Sequence, residues 1–414
     1  MQSANGSATL LPAGTKPLTA PARASGSADR LAGMDALRGG AMLLGVFIHA
    51  AISYIPTNLV DLHWGIREGE TSSIVDALFW WVHACRLPLF FVIAGFFATM
   101  VLETKGTKGF ATHRLKRLLL PFLVGLLAML PPAYLYFWAC GVVTGQVGNP
   151  SIFAFEIAPD TFAQMLGPMH LWFLQDLLIL SGIFVAVRYL ASGGRQPPDA
   201  TFGTNQGANA PRSPGLSLLA PLALALPTAL LLWGDCRPLM AHQNTFVPDG
   251  VRLLYYGYFF AMGTGLYRQR KTLTDIFAWP LTHLTLSLPA GMVMLTLIPG
   301  YLQGSLDDTE RLLLAASASW MAWLSIFGFL GLALRCFQGR HPLANYLADA
   351  SYWVYLCHLP MVCVLQLDLY GVDWPAEIKC AVVVAVTTAL GIGTYHTFVR
   401  YTIIGTCLHG VRRR

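Results

Sequence analysis

The stretch that decides the fold is residues 34–50, MDALRGGAMLLGVFIHA, an apolar run with Arg38 near its start and His49 near its end. Positions 38 and 49 are eleven residues apart, about three helical turns, so the two side chains share a face about 16 Å apart along the axis. If Arg38 lies at a membrane surface, His49 lies near the middle of a hydrocarbon core about 30 Å thick. A titratable ring at that depth is a candidate functional group. The alternative is a structural histidine bound to a neighbouring helix's backbone.

Composition places the chain among membrane proteins. Its 414 residues are 55% hydrophobic and 12% charged, with a mean hydropathy of +0.54. Soluble domains usually carry about twice that charged fraction. Apolar runs of membrane-spanning length recur from residue 37 to the C-terminus, which predicts an all-α, polytopic transmembrane helix bundle. The net charge of +6 falls in short loops, so no nucleic-acid partner is expected. The eight cysteines show neither disulfide nor metal-ligand spacing, so no metal is expected.

The predicted organisation is one membrane domain, residues 34–404, between two tails. Residues 1–33 are rich in Ala, Gly, Ser, Thr and Pro and predict a disordered cytoplasmic tail, and 405–414 form a basic cytoplasmic tail. A Gly/Pro/Asn-rich stretch at 192–213 predicts a flexible cytoplasmic linker. Ten spans are predicted, at 36–56, 75–102, 117–141, 170–191, 215–234, 251–268, 274–298, 311–335, 350–369 and 378–404.

Loop charges orient this bundle. With the N-terminus in the cytoplasm, most of the 27 Lys and Arg residues fall in the tails and the cytoplasmic loops. The opposite loops hold only Arg67, Arg237, Arg252, Arg311 and Lys379. This positive-inside bias predicts that both termini are cytoplasmic.

Two further spans carry polar groups. In the second span, His83 and Arg86 are three residues apart and neighbour each other on one helix face. An arginine at that depth needs a partner, a water-filled cavity or an anionic ligand, and a structural ion pair is the alternative reading. The fourth span begins with His170 and Trp172, followed by Asp176 about two turns deeper. The alternative to a functional role is that His170 is an ordinary interfacial histidine and Trp172 an aromatic-belt residue.

The last two spans add a polar stripe and a basic pair. Ser351, Tyr355 and His358 fall at i, i+4 and i+7 and therefore on one face of a helix, which indicates contact with a cavity or another helix. His396 and Arg400 are four residues apart and also share a face. We expect several of these histidines and arginines to converge on one interior cavity.

Six motifs occur in order along residues 34–404. They are Arg38-x10-His49, HACRLPLFFVIAGFF around Arg86, RLKRLLLP with Arg114, Lys116 and Arg117, HLWFL at His170, YYGYFFAMGTGL at 255–266, and DASYWVYLCHLP with His358. Read together, they resemble the acyltransferase-3 family of integral membrane acyltransferases. Within that family, the resemblance is strongest to members that succinylate osmoregulated periplasmic glucans.

The resemblance implies a multi-pass enzyme of the bacterial inner membrane. It would move an acyl group, succinyl or acetyl, from cytoplasmic acyl-CoA to hydroxyls of a periplasmic glucan or another extracytoplasmic glycan. Acyl-CoA would be a donor substrate, with no permanently bound cofactor. Membrane lipid surrounds such an enzyme, and glucan-synthesis proteins of the membrane would be further partners.

Roles for individual residues follow from the resemblance and from the chemistry. His49 suits a general base, because imidazole titrates near neutral pH, although it could instead accept the acyl group itself. Arg86 or His83 could stabilise the oxyanion on the thioester carbonyl, and His83 or His358 is the base if His49 is not. The CoA phosphates would bind Arg38, Arg114, Lys116 and Arg117. The acceptor would contact His170, Trp172, Ser351, Tyr355 and Arg400.

One departure and two rival functions accompany this interpretation. Glucan-modifying members carry a Tyr-Glu pair ahead of the last span's arginine, whereas here Tyr395-His396 precedes Arg400. A secondary transporter or lipid-linked-sugar exporter would also explain intramembrane charges. Inverted repeats would favour the transporter interpretation, and none is visible in the sequence. A non-catalytic scaffold for a glucan-export complex is a third possibility.

Overall fold

The computed structural model describes residues 25–57, 59, 64–145, 167–191, 214–235, 244–337 and 341–409. Every regular element in these ranges is a helix, and none is a strand, which confirms the all-α fold. The predicted linker at 192–213, residues 1–24 of the predicted N-terminal tail and residues 410–414 lie outside the described part of the chain.

Ten long helices account for most of the described residues, and each coincides with one predicted span. They are α1 (Ser25–Ala51), α2 (Ser73–Arg114), α3 (Leu120–Val143), α4 (Trp172–Ala191), α5 (Pro214–Gly234), α6 (Gly250–Arg268), α7 (Pro280–Leu302), α8 (Asp308–Cys336), α9 (Pro342–Asp368) and α10 (Ala376–Thr394). Shorter helical elements lie between or after them, at Ile52–Tyr54, Leu115–Leu119, Met169–Leu171, Leu273–Ile276, Tyr395–Val399 and Ile403–His409.

Seven helical segments of the described chain are long and apolar enough to cross a membrane. They are Ala32–Tyr54, Ser73–Val143, Met169–Ala191, Pro280–Leu302, Asp308–Cys336, Pro342–Asp368 and Ala376–Val399. The second of these has 71 residues and contains both α2 and α3. A shorter apolar helix occupies Leu218–Gly234. The protein is therefore a helical membrane protein, while ten crossings with both termini cytoplasmic stays a prediction.

Side-chain caps explain where several helices begin. The Ser72 hydroxyl accepts a hydrogen bond from the Val75 amide at the start of α2. The Asp249 carboxylate accepts from two backbone amides at the start of α6. Asp307 and Glu310 form a reciprocal capping box at the start of α8. Each cap satisfies amides that have no partner within the helix.

Small residues let the central helices pack closely. A Cβ atom on Gly95 of α2 would lie 2.0 Å from the Phe260 carbonyl oxygen of α6, and one on Gly263 of α6 would lie 1.9 Å from the Val92 oxygen of α2. These two helices therefore touch backbone to backbone, as is common where membrane helices associate. Helix α1 packs against α9, α2, α8 and α10, so it lies at the centre of the bundle.

The bounds of α1 differ from the predicted span at both ends. The helix begins at Ser25, inside the segment predicted to be a disordered tail. It ends at Ala51 and is followed by a 3-10 turn, Ile52–Tyr54. His49 therefore lies in the last turn of α1, while the membrane-spanning segment Ala32–Tyr54 agrees with the predicted span 36–56 to within four residues.

Two basic residues counted as loop charges are instead buried in ion pairs. Arg252 of α6 faces Asp176 of α4, with Nε 3.4 Å from Oδ2 and both side chains at most 1% exposed. Lys379 of α10 places Nζ 3.0 Å from Oε1 of Glu68. Both cations are thus held by carboxylates inside the protein, because an unpaired charge would be costly there.

Candidate functional site

A cavity opens where α1, α2, α9 and the start of α4 meet. Four elements supply its polar lining. His49 comes from α1 and Arg86 from α2, His170 lies in the turn before α4, and Tyr355 and His358 come from α9. Trp172, Phe90 and Phe173 contribute aromatic walls. Of the histidines and two arginines expected to converge on one interior cavity, three histidines and Arg86 line it, and Arg400 does not.

Three histidine rings lie within contact of one another in this cavity. The ring centroids of His49 and His358 are 5.1 Å apart, those of His170 and His358 are 5.1 Å apart, and those of His49 and His170 are 6.3 Å apart. Because imidazole titrates near neutral pH, such a cluster can accept and pass protons.

The tautomer of His358 follows from its surroundings. Its Nδ1 lies 2.8 Å from the backbone oxygen of Tyr355, which can only accept, so Nδ1 carries the hydrogen. A neutral ring then has its lone pair on Nε2, which is buried and has no hydrogen-bond partner among the described residues. The Tyr355 hydroxyl donates to the His170 backbone oxygen at 2.8 Å, so α9 also fixes the turn that holds His170.

Arg86 reaches across the cavity towards α1. A Cβ atom on Gly45 would lie 2.4 Å from Arg86 Nη1, so the guanidinium occupies space that only glycine leaves open. Among the described residues, no acidic side chain forms an ion pair with Arg86. A cation in this position can receive an anionic group of a ligand.

The turn before α4 is held in an uncommon conformation. Met169 has a φ of 45°, in the left-handed region that non-glycine residues rarely adopt. Its backbone amide donates to Asn244 Oδ1 at 2.6 Å, which stabilises this turn. Trp172 follows, with the Arg252 guanidinium 5.0 Å from its ring centre. Strain of this kind often occurs at functional sites, and here it positions His170 and Trp172.

Two residues that the sequence analysis did not single out contact the His49 segment. The Trp64 indole stacks on the His49 ring at 6.0 Å with an interplanar angle of 16°. The Gln366 amide of α9 donates to the backbone oxygens of His49 and Ala50. A glutamine within the apolar run MVCVLQLDL was a signal for Gln366, whereas Trp64 lies in a loop with no periodic pattern.

A cluster of arginines surrounds Tyr352 near Arg38. Arg38, Arg114 and Arg117 lie near the Tyr352 hydroxyl, which donates to the Arg117 backbone oxygen. Arg38 also pairs with Asp35 at 3.0 Å. Two nitrogens of Arg114, Nε and Nη2, are buried without a hydrogen-bond partner among the described residues. Lys116 is exposed. This cluster can bind phosphate groups.

Three other predicted site residues are not among those that line the cavity. The His83 ring packs against Phe79 and Trp80 of its own helix, at 5.8 and 6.2 Å. Ser351 donates to the Ala348 backbone oxygen one turn earlier in α9.

Arg400 lies near the terminal helix and stacks on Tyr346 and Tyr401, with its guanidinium carbon 4.9 and 5.1 Å from their ring centres. His396, which stands where a glutamate was expected, is exposed and places Nδ1 3.4 Å from the Tyr346 hydroxyl.

These features define a class: a helical membrane protein whose central helices enclose a cavity lined by histidines and an arginine. The chain belongs to the acyltransferase-3 family, whose model, described as an acyltransferase domain, matches residues 31–394. As a member, it is an acyl-transfer enzyme.

Relatives named glucans biosynthesis protein C cover most of the chain. The protein from Salmonella paratyphi B (strain ATCC BAA-1250 / SPB7) is 23% identical over 337 residues, which is 79% of this chain and 81% of the relative. The protein from Salmonella schwarzengrund (strain CVM19633) is 24% identical over 338 residues, with the same two coverages. No solved structure matches the chain at a significant level.

Proposed function

We propose that this protein transfers a succinyl group from succinyl-CoA to hydroxyls of an extracytoplasmic glycan, with a periplasmic glucan as the acceptor. The observation that carries this proposal is the convergence of His49, His170, His358 and Arg86 on one buried cavity. The names of the relatives support a glucan as the acceptor. The proposed location is the bacterial inner membrane, where glucan-synthesis proteins would be neighbours.

The donor would bind along α1. Arg38, Arg114 and Arg117 surround Tyr352 and would hold the CoA phosphates through charge-assisted hydrogen bonds. His49 lies on α1, as Arg38 does, eleven residues after it and about 16 Å further along the helix axis. A donor whose phosphates lie at Arg38 and whose thioester lies at His49 would therefore extend along α1. This arrangement makes the Arg38 end of the bundle the cytoplasmic one.

The chemistry would be direct acyl transfer. His49 takes the proton of the acceptor hydroxyl, and the hydroxyl oxygen attacks the thioester carbonyl carbon. The carbonyl oxygen becomes an oxyanion, and its collapse breaks the carbon–sulfur bond. The CoA thiolate then takes the proton from the His49 imidazolium, so the ester, free CoA and neutral His49 result. The His358 Nε2 lone pair, beside the His49 ring, is a second acceptor for the proton that leaves the acceptor hydroxyl.

Arg86 would bind the terminal carboxylate of the succinyl group. Burying that anion without a partner would cost several kcal/mol. A guanidinium already present in the cavity, with no acidic partner among the described residues, would offset this cost. The arginine fork also matches a carboxylate in a two-pronged geometry that lysine lacks. His170, Trp172 and Tyr355 would contact the acceptor from the α4 and α9 walls.

The test is transfer of label from radiolabelled succinyl-CoA to a purified glucan by the protein in detergent. Wild-type protein should transfer label, and His49→Gln should lower kcat by a factor of about 10² or more, the usual scale for a general base. The matched control is His283→Gln. His283 is a fully buried histidine on α7 whose ring packs on Phe327, outside the residues that line the cavity.

Three outcomes would count against the proposal. Wild-type protein that transfers no acyl group to any glycan would remove the function. Near-normal kcat in His49→Gln would move the base to His358, which His358→Gln would then reveal. Equal losses in His49→Gln and His283→Gln would mean that the loss reflects folding and not chemistry.

A further inference from the structure

The end of α1 poses a structural problem next to the proposed base. The last carbonyl groups of a helix have no partner within it. In α1 those carbonyls include His49 and Ala50, because the helix ends at Ala51. A helix end without such partners frays. Fraying here would move the one side chain that must meet two substrates.

Gln366 satisfies this end of α1. Its side chain is fully buried on α9, and its amide nitrogen Nε2 donates to the His49 oxygen at 3.2 Å and to the Ala50 oxygen at 3.0 Å. A single amide group therefore bridges two carbonyls of the turn that carries the imidazole. Only a donor can occupy this position, because both backbone atoms are acceptors.

The same glutamine also fixes the ring stacked on His49. The Gln366 oxygen Oε1 accepts from the Trp64 indole nitrogen at 3.0 Å, and the Ser53 hydroxyl oxygen lies 3.1 Å from that nitrogen. Ser53 donates to the Ile66 backbone oxygen at 2.8 Å, which ties the loop of Trp64 to the turn after α1. The indole plane therefore has a fixed orientation against the imidazole.

We propose that Gln366 and Trp64 are positioning residues for His49: Gln366 holds the helix turn, and Trp64 holds the ring plane. This inference rests on the proposed acyl-transfer function for its kinetic consequence. Neither residue is among those that line the cavity, and both act through His49. The gain is geometric, because a displacement of about 1 Å at a reacting group can cost up to about 10² in rate.

The test is Gln366→Glu, a change that nearly preserves shape. The glutamate can still accept from the Trp64 indole, but it has at most one hydrogen to donate, so it cannot bridge the two backbone oxygens as the amide does. We expect kcat for acyl transfer to fall between about tenfold and a hundredfold. KM for acyl-CoA and for the glycan should stay within about twofold, since binding groups are untouched. Trp64→Phe keeps an aromatic face but removes the indole donor, and its kcat should fall less.

The matched control is Gln175→Glu on α4. Gln175 is also a buried glutamine whose amide donates to a backbone oxygen, that of Phe246 at 2.9 Å. It is not among the residues that line the cavity, and its variant should keep kcat within about twofold. A merely structural effect of a buried carboxylate would lower the activity of both variants alike, which would overturn the assignment.

A second measurement does not depend on acyl chemistry. Hydrogen–deuterium exchange of peptides covering residues 46–54 should be faster in Gln366→Glu than in wild type and unchanged in Gln175→Glu. Unchanged exchange in Gln366→Glu overturns the positioning role even if turnover falls. If wild-type protein shows no acyl transfer, the proposed function fails. The exchange result then still decides whether Gln366 holds the end of α1.

Discussion

The choice of acyl group should depend on Arg86, and the perturbation that tests it is Arg86→Gln. The side chain lines the cavity opposite His49 and has no acidic partner among the described residues. Succinyl-CoA and acetyl-CoA differ by one terminal carboxylate, so only the succinyl donor gains an interaction with the guanidinium. The measured quantity is therefore the ratio of kcat/KM for the two donors.

The magnitude follows from the surroundings of Arg86. A hydrogen bond to a charged group contributes about 1.5–3 kcal/mol when it is shielded from water, whereas an exposed ion pair contributes at most about 1 kcal/mol. Since 1.4 kcal/mol corresponds to tenfold, a shielded pair predicts a loss of succinyl preference of at least tenfold. An exposed pair predicts about fivefold or less. A tenfold threshold thus separates the two cases.

The substitution Gly45→Ala is a second perturbation, and it keeps the charge of Arg86. In Gly45→Ala the new methyl group would lie 2.4 Å from Arg86 Nη1, so the guanidinium must move. Succinyl preference should fall in this variant as well. The matched control is Gly40→Ala on the same helix, where a Cβ would meet no atom within 4 Å.

Two results would refute this reasoning about Arg86. Equal losses with both donors in Arg86→Gln would mean that the arginine serves general catalysis, such as the oxyanion, or helix packing. A wild-type preference for acetyl-CoA would remove the succinyl assignment and leave an O-acetyltransferase of the same family.

Two further predictions concern the donor and the orientation of the bundle. Arg117→Gln should raise KM for acyl-CoA severalfold with little change in kcat, since it removes a binding group and no reacting one. The control is Arg268→Gln, which removes an exposed arginine at the end of α6 and should leave KM unchanged. Equal effects of the two substitutions on KM would contradict the phosphate site. A membrane-impermeant maleimide added outside intact cells should label Glu70→Cys but not Lys108→Cys, with wild type as background. The reverse pattern would invert the bundle and the side of acyl-CoA entry.

The sequence predicts most of this fold because each membrane helix can be recognised from its own apolar run, without knowledge of the others. Each of the ten predicted spans coincides with a helix, since an apolar run of about 20 residues has few alternatives in lipid. The cavity residues His49, Arg86, Tyr355 and His358 were predictable for the same reason. A polar group within an apolar span tends to face the protein interior or a water-filled cavity.

Contacts between distant segments were not predictable in this way. Lys379 and Glu68 pair across 311 positions of sequence, and Arg252 and Asp176 across 76. Periodicity says which face of a helix a residue occupies, but not which other helix that face meets. His83 shows a related limit. Three residues of helix leave it about 60° from Arg86, which is enough to place its ring against Phe79 and Trp80 outside the cavity.

The partners of the buried polar groups separate support from function in this bundle. Asp176 and Arg252 form a buried ion pair that joins α4 to α6, so the burial of these two charges is explained without a ligand. Arg86 has no acidic partner among the described residues, and His358 Nε2 and two nitrogens of Arg114 have no hydrogen-bond partner there. Arg86 and His358 line the cavity, and Arg114 belongs to the arginine cluster around Tyr352. Because an unsatisfied polar group is costly to bury, and because these groups line the cavity or belong to the arginine cluster, they are the first places where we expect a ligand to bind.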